Sequence, residues 1–168
     1  MFIAHLPAGY LFGDRLHARI APPALARARF IGWSLFGAIA PDLDLIYFYA
    51  FDHRQSHHHR YVSHWPMLWI AVLLLSLLWW RRRPASAAAA CATVFALSGL
   101  VHQVLDSLVG DILWLAPFSD RSFALATVPA IYSPWWLNFF LHWSFGFELA
   151  IAAWAVLVWR RRRGLPAR

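Results

Sequence analysis

The chain has 168 residues, 61% of them hydrophobic, and a mean hydropathy of +0.50, too apolar for an ordinary water-soluble domain of this length. All fifteen basic residues behind its formal charge of +7 are arginines. They cluster beside apolar runs, a pattern of membrane-surface anchoring and not of a nucleic-acid face, so no direct nucleic-acid binding is expected. The single cysteine, Cys91, excludes an internal disulfide and a thiolate metal cluster; in its alanine-rich surroundings it reads as a small packing residue.

In chain order, residues 1–13 form a short apolar piece, about 20 Å if helical, which reads as an N-terminal half-span. It has no basic n-region, and Asp14-Arg15 follow where a cleavage site would need small residues, so it is not read as a signal peptide. Four long apolar segments come next, at 30–51, 64–80, 86–109 and 134–159. A spanning helix needs about 20 residues, so each is expected to cross the bilayer. Residues 110–133 are the longest loop, apolar enough to lie on the bilayer or over a site.

Arginines precede the first long segment and follow the second and fourth (Arg81 to Arg83, Arg160 to Arg163). Alternating spans put all three clusters on one side, cytoplasmic by the positive-inside rule. The expected fold is then all-α: one polytopic membrane bundle over residues 1–168, with four spanning helices and the half-span. The same topology carries His5, Asp42, Asp44, His59, His64, His102 and Asp106 towards the opposite, periplasmic face.

Those residues are the chemistry-bearing ones. A carboxylate at the centre of a membrane helix costs roughly 2.5–3.5 kcal/mol on insertion scales, so it needs a partner or a task. His102 and Asp106 are four apart and share a helix face. They either hydrogen-bond each other or coordinate a metal, and the other ligand types on the same side favour the metal. In Pro41-Asp42-Leu43-Asp44 the proline breaks the helix, and carboxylates two apart do not share a face, so different work is expected of them. One binds metal while the other orients a ligand or takes a proton from water; helix-end capping is the alternative.

Five of the nine histidines lie between residues 53 and 64. His59 and His64 flank the start of the second span and are expected to face inward, with His53, His57 and His58 solvated. Arg60 is expected either to clamp an anionic substrate or to touch a lipid headgroup. His142 and Glu148, six apart, do not share a helix face, and His142 reads as a hydrogen-bonded core histidine.

His5, Pro41-Asp42-Leu43-Asp44, His59-Arg60 with His64, Gly99-x-x-His102-x-x-x-Asp106 and Leu115-Ala116-Pro117-Phe118 follow one another over roughly residues 1–120. In that order they resemble the bacterial membrane-bound metal-dependent hydrolase family (LexA-binding, inner-membrane-associated, YdjM-like), itself similar to zinc-dependent phospholipase C. The resemblance implies metal roles for His5, Asp42, His64, His102 and Asp106, residence in the inner membrane, and LexA as a partner. Two positions depart from the pattern. Trp65 stands where a hydroxyl residue often follows the histidine, and no later His-x-x-x-Glu pair is present, which leaves donors for one or two ions.

The expected function is a membrane-bound metal-dependent hydrolase acting on a lipid or phosphoester. Its divalent cofactor is zinc, with His5, Asp42, His59, His64, His102 and Asp106 as metal ligands. Asp44 is the expected base or water-positioning group and Arg60 the expected substrate clamp. The alternative is a non-catalytic membrane protein that binds metal, or heme between residues such as His102 and His142. A di-iron site is disfavoured, because the histidine box at His53, His57 and His58 has no second box.

Overall fold

The computed structural model describes residues 3–164; the first two residues of the expected half-span lie outside the described part. Seven α-helices follow one another there: α1 (His5–Ile20), α2 (Arg27–Ile39), α3 (Asp44–Ala50), α4 (Pro66–Arg82), α5 (Ala87–Asp106), α6 (Trp136–Phe140) and α7 (Trp143–Arg163). Short 3₁₀ turns at Pro41–Leu43, His58–Arg60 and Val62–His64 join them near the polar residues. Among the described residues the only β pairing is an isolated antiparallel bridge between Ile112 and Phe123. The chain is all-helical, as expected.

The helix starts follow local chemistry. Pro66 opens α4, where a missing N–H costs nothing. Ser86 caps α5 by accepting the N–H of Ala89 at 3.2 Å. The α2 helix ends ahead of Pro41, whose ring denies it a continuing hydrogen bond.

The expectation of four spans is met only in part. Among the described residues one helix, α5, is long and apolar enough to cross a bilayer alone. Residues Arg27–Ile39 and Pro41–Ala50 qualify together but bend by 57° at the break. The second segment gives a helix of only 17 residues. The fourth is split into α6 and α7 where His142 turns to cap the next helix, accepting the Ser144 N–H at 3.4 Å. The break at Pro41 was expected from the proline, whereas nothing in the apolar run announced the one at His142.

The α5 helix is the centre, packed against α1, α2 and α4. One fully buried hydroxyl fastens three helices: Ser34 Oγ donates to the Gly9 carbonyl at 2.6 Å and lies 2.8 Å from Ser98 Oγ. The α7 helix packs on α1 and is tied to it at both ends. Near one end Glu148 accepts the N–H groups of Ile3 and Ala4 at 2.6 and 3.1 Å. Near the other, Asp14 receives Arg27 from α2 and Arg162 from α7, the latter through Nε at 3.1 Å. Burial opposes the Asp14 charge, but these two guanidinium groups outweigh it and hold the carboxyl below its ordinary value.

Candidate metal centre

The break after α2 is what builds the polar centre. The last four carbonyls of a helix have no intrahelical partner. One of them, Ala38 O, lies 2.8 Å from Nδ1 of His102 on α5. A carbonyl can only accept, so Nδ1 carries the proton and Nε2 of His102 presents its lone pair.

His64 is fixed in the same way. Its Nδ1 donates to the Asp44 carboxylate at 2.6 Å, and Ser63 Oγ donates to the same oxygen at 2.6 Å. Its Nε2 lone pair is thereby turned inward as well. Both rings are fully buried, and neither Nε2 has a hydrogen-bond partner among the described residues.

Both lone pairs face carboxylates. His102 Nε2 is 2.9 Å from Asp106 Oδ2 and 3.7 Å from Asp42 Oδ1. His64 Nε2 is 3.5 Å from Asp42 Oδ1 and 3.8 Å from Asp106 Oδ2. An imidazole lone pair and a carboxylate oxygen at such distances repel, and burial removes the water that would separate them. A second proton on each ring or a shared cation resolves the conflict. Zinc bonds nitrogen and oxygen at about 2.0–2.2 Å, which sets neighbouring ligand atoms on one ion roughly 3 Å apart. Asp42, His64, His102 and Asp106 all offer donor atoms within 4.8 Å of one another and so fit a divalent metal ion.

The remaining expected residues divide by position. His5 opens α1, puts Nε2 3.2 Å from Asp106 Oδ1 and stacks on His102 with ring centroids 3.8 Å apart. It sits behind Asp106, outside the four-residue group. His59 lies 3.7 Å from Asp106 Oδ2 through Nε2, and with His58 and His64 makes a second group with metal-ligand spacing. Burial above all, with the neighbouring histidines and against the Asp106 carboxylate, pushes the His59 imidazole down to about 2, so the ring is neutral. Gly110 is what admits this ring, because a Cβ there would stand 2.6 Å from His59 Cε1.

Asp44 is not where a free base would be. Its Oδ2 is committed to His64 and Ser63, while Oδ1 lies 3.7 Å from His58 Nδ1. Such a carboxylate behind a histidine fixes the ring's tautomer and orientation. Arg60 is exposed and does not line the cavity over the centre. Arg54 does, together with His57, which is exposed as expected, and His58, which is half-buried where solvation was expected. His142 pairs with Ser144 at 2.9 Å and belongs to neither donor group. Gly99 serves packing, since the Trp69 ring occupies the place of its missing Cβ at 2.0 Å.

A family model described as YdjM inner membrane protein matches residues 1–165. The chain belongs to this family. YdjM-family membership places it among inner membrane proteins, in agreement with its composition. No curated protein and no solved structure matches the chain. The donor groups of this YdjM-family chain therefore rest on their own geometry.

Proposed function

We propose that the centre holds a divalent metal ion, zinc by the balance of imidazole and carboxylate donors, and that the protein is a membrane-embedded hydrolase of phosphoesters. The observation that carries this reading is the pair of inward lone pairs, on His64 and His102, each fixed by a partner behind the ring. Asp42, His64, His102 and Asp106 hold the ion, with His5 bracing Asp106. The second group shares His64 with the first, so His58 and His59 stand beside the ion as two further imidazoles. A bound ion supplies Lewis acidity, which brings the pKa of water from 15.7 towards about 7.

The protein's own groups do the rest. Water adds its oxygen to phosphorus, the P–O ester bond breaks, and the alcohol leaves with a proton. His58 lines the cavity with Nδ1 facing Asp44 Oδ1, so this pair is placed to take the proton from water and return it to the leaving oxygen. The centre opens towards the periplasmic face if the spans alternate as the arginine clusters require.

Elemental analysis of detergent-purified protein tests the metal. Near-stoichiometric zinc or a similar ion is expected in the wild type, and most of it should be lost in His102→Ala. Equal metal content in both proteins would end the assignment. Full loading without phosphoesterase turnover would leave a binding protein in place of an enzyme.

A further inference from the structure

A cavity of about 780 Å³ is lined by Asp42, His58, His59 and Asp106 from the centre. Four aromatic side chains share its wall: Phe48 and Tyr49 from α3, Trp135 just ahead of α6, and Phe139 from α6. This joins a polar, metal-ligating region to an apolar one within a single space. Arg54 is the one basic Arg or Lys side chain in the lining.

Arg54 is held there by an unusual backbone. His53 and Arg54 both have positive φ, 49° and 63°, in a region that side-chain-bearing residues rarely enter. Two such residues in succession persist only where their surroundings over-determine them, and such residues cluster at ligand clamps. Here the N–H of Arg54 donates to Phe48 O at 3.1 Å, and Asp52 accepts from Gln55 and Ser56. The guanidinium lies 5.9 Å above the Tyr49 ring and has no ion pair among the described residues. A cation brought to a cavity wall by a strained loop, and left without a carboxylate, is suited to a ligand oxyanion.

We propose that this cavity binds an amphiphile with a phosphate headgroup, clamped by Arg54 beside the metal centre, with its apolar chain against Phe48, Tyr49, Trp135 and Phe139. The proposal rests on the hydrolytic reading for its choice of phosphate, and names the substrate class of that site. Its volume suits a headgroup and the first part of one chain.

Calorimetric titration of metal-loaded protein in a non-ionic maltoside detergent tests it, with decyl phosphate, inorganic phosphate, decanol and decyltrimethylammonium as probes. Decyl phosphate is expected to bind at least tenfold more tightly than inorganic phosphate, with no measurable binding of the cationic probe. Arg54→Gln should weaken decyl phosphate tenfold or more, and Tyr49→Leu, which removes the ring under the guanidinium, several-fold. Arg121→Gln, an exposed change in the long loop, should leave it within twofold. Trp135→Ala should weaken decyl phosphate but not inorganic phosphate.

Unaltered binding in both Arg54→Gln and Tyr49→Leu would overturn the clamp. Equal affinities for decyl phosphate and inorganic phosphate would overturn the amphiphile and leave a soluble phosphate ligand. Decyl phosphate that binds through Arg54 without releasing decanol supports this inference while removing the hydrolytic reading, so the two fail separately.

Discussion

Glu148 on α7 accepts the main-chain N–H of Ala4 at 3.1 Å and that of Ile3 at 2.6 Å, immediately before His5 begins α1. The first N–H groups of a helix have no partner of their own, and Ala4 is completely buried, so this carboxylate replaces both water and a conventional cap. It also sets where His5 enters the centre. Glu148→Ala is expected to destabilise the protein by about 1–3 kcal/mol. It should also lower metal affinity roughly tenfold by freeing His5 behind Asp106. Thermal unfolding and chelator competition read the two effects, and Glu148→Gln, which keeps an acceptor, should recover part of both.

Asp44 should matter through His64. Replacing it by alanine removes the acceptor that holds the Nδ1 proton, and the ring is then free to present either nitrogen to the centre. Metal affinity is expected to fall about 10–100-fold with the helix content unchanged. A variant that keeps wild-type affinity in a chelator titration would show that the tautomer is fixed by something else.

Two glycine substitutions should separate packing from chemistry. Gly99→Ala drives a methyl group into the Trp69 ring, and overpacking of this kind costs about 1–3 kcal/mol. Gly110→Ala meets the His59 ring edge at 2.6 Å and, less closely, the Asp106 carbonyl oxygen at 3.0 Å. The first is expected to lower the melting temperature with little change in metal content. The second should displace His59 and weaken metal or phosphate ligands while the melt stays close to wild type.

The ion triad at the far end of α1 gives a pH dependence with a definite sign. The Asp14 carboxyl lies below its ordinary value when folded, so its contribution is complete above the unfolded value of about 3.9 and disappears as pH falls through the folded value. The Arg27 and Arg162 side chains are 40% and 51% exposed, which screens the pairs and limits the contribution to about 1 kcal/mol. Melts of wild type and Asp14→Asn should differ by a constant amount from neutral pH down to about 5, then converge below about 4. A difference that grew on acidification would have the wrong sign for this triad.

How much of this was legible in the sequence depended on what each feature leaves there. The i, i+4 spacing of His102 and Asp106 and the break at Pro41 are written in residue type, and the alternation of apolar segments brought Asp42 and His64 to the same end as that pair. The division of labour between Asp42 and Asp44 followed from their two-residue offset, but which of them stood behind His64 did not. Arg54 and Arg60 are indistinguishable by composition. Two positive-φ residues and two short 3₁₀ turns decide between them, and neither has a glycine to announce it. Glu148 was illegible for a different reason: its partners are backbone N–H groups, which carry no signature at all.

The attachment of α1 to α7 has a consequence for biogenesis. Ala4 and Glu148 are 144 residues apart, and at about 5–20 residues per second the ribosome needs roughly 7–30 s to make the intervening chain. Until α7 emerges, the backbone just before His5 lacks the Glu148 acceptor that helps set its approach to Asp106. Full assembly of the centre therefore waits for α7, and nascent chains halted before it would hold metal more weakly than the finished fold.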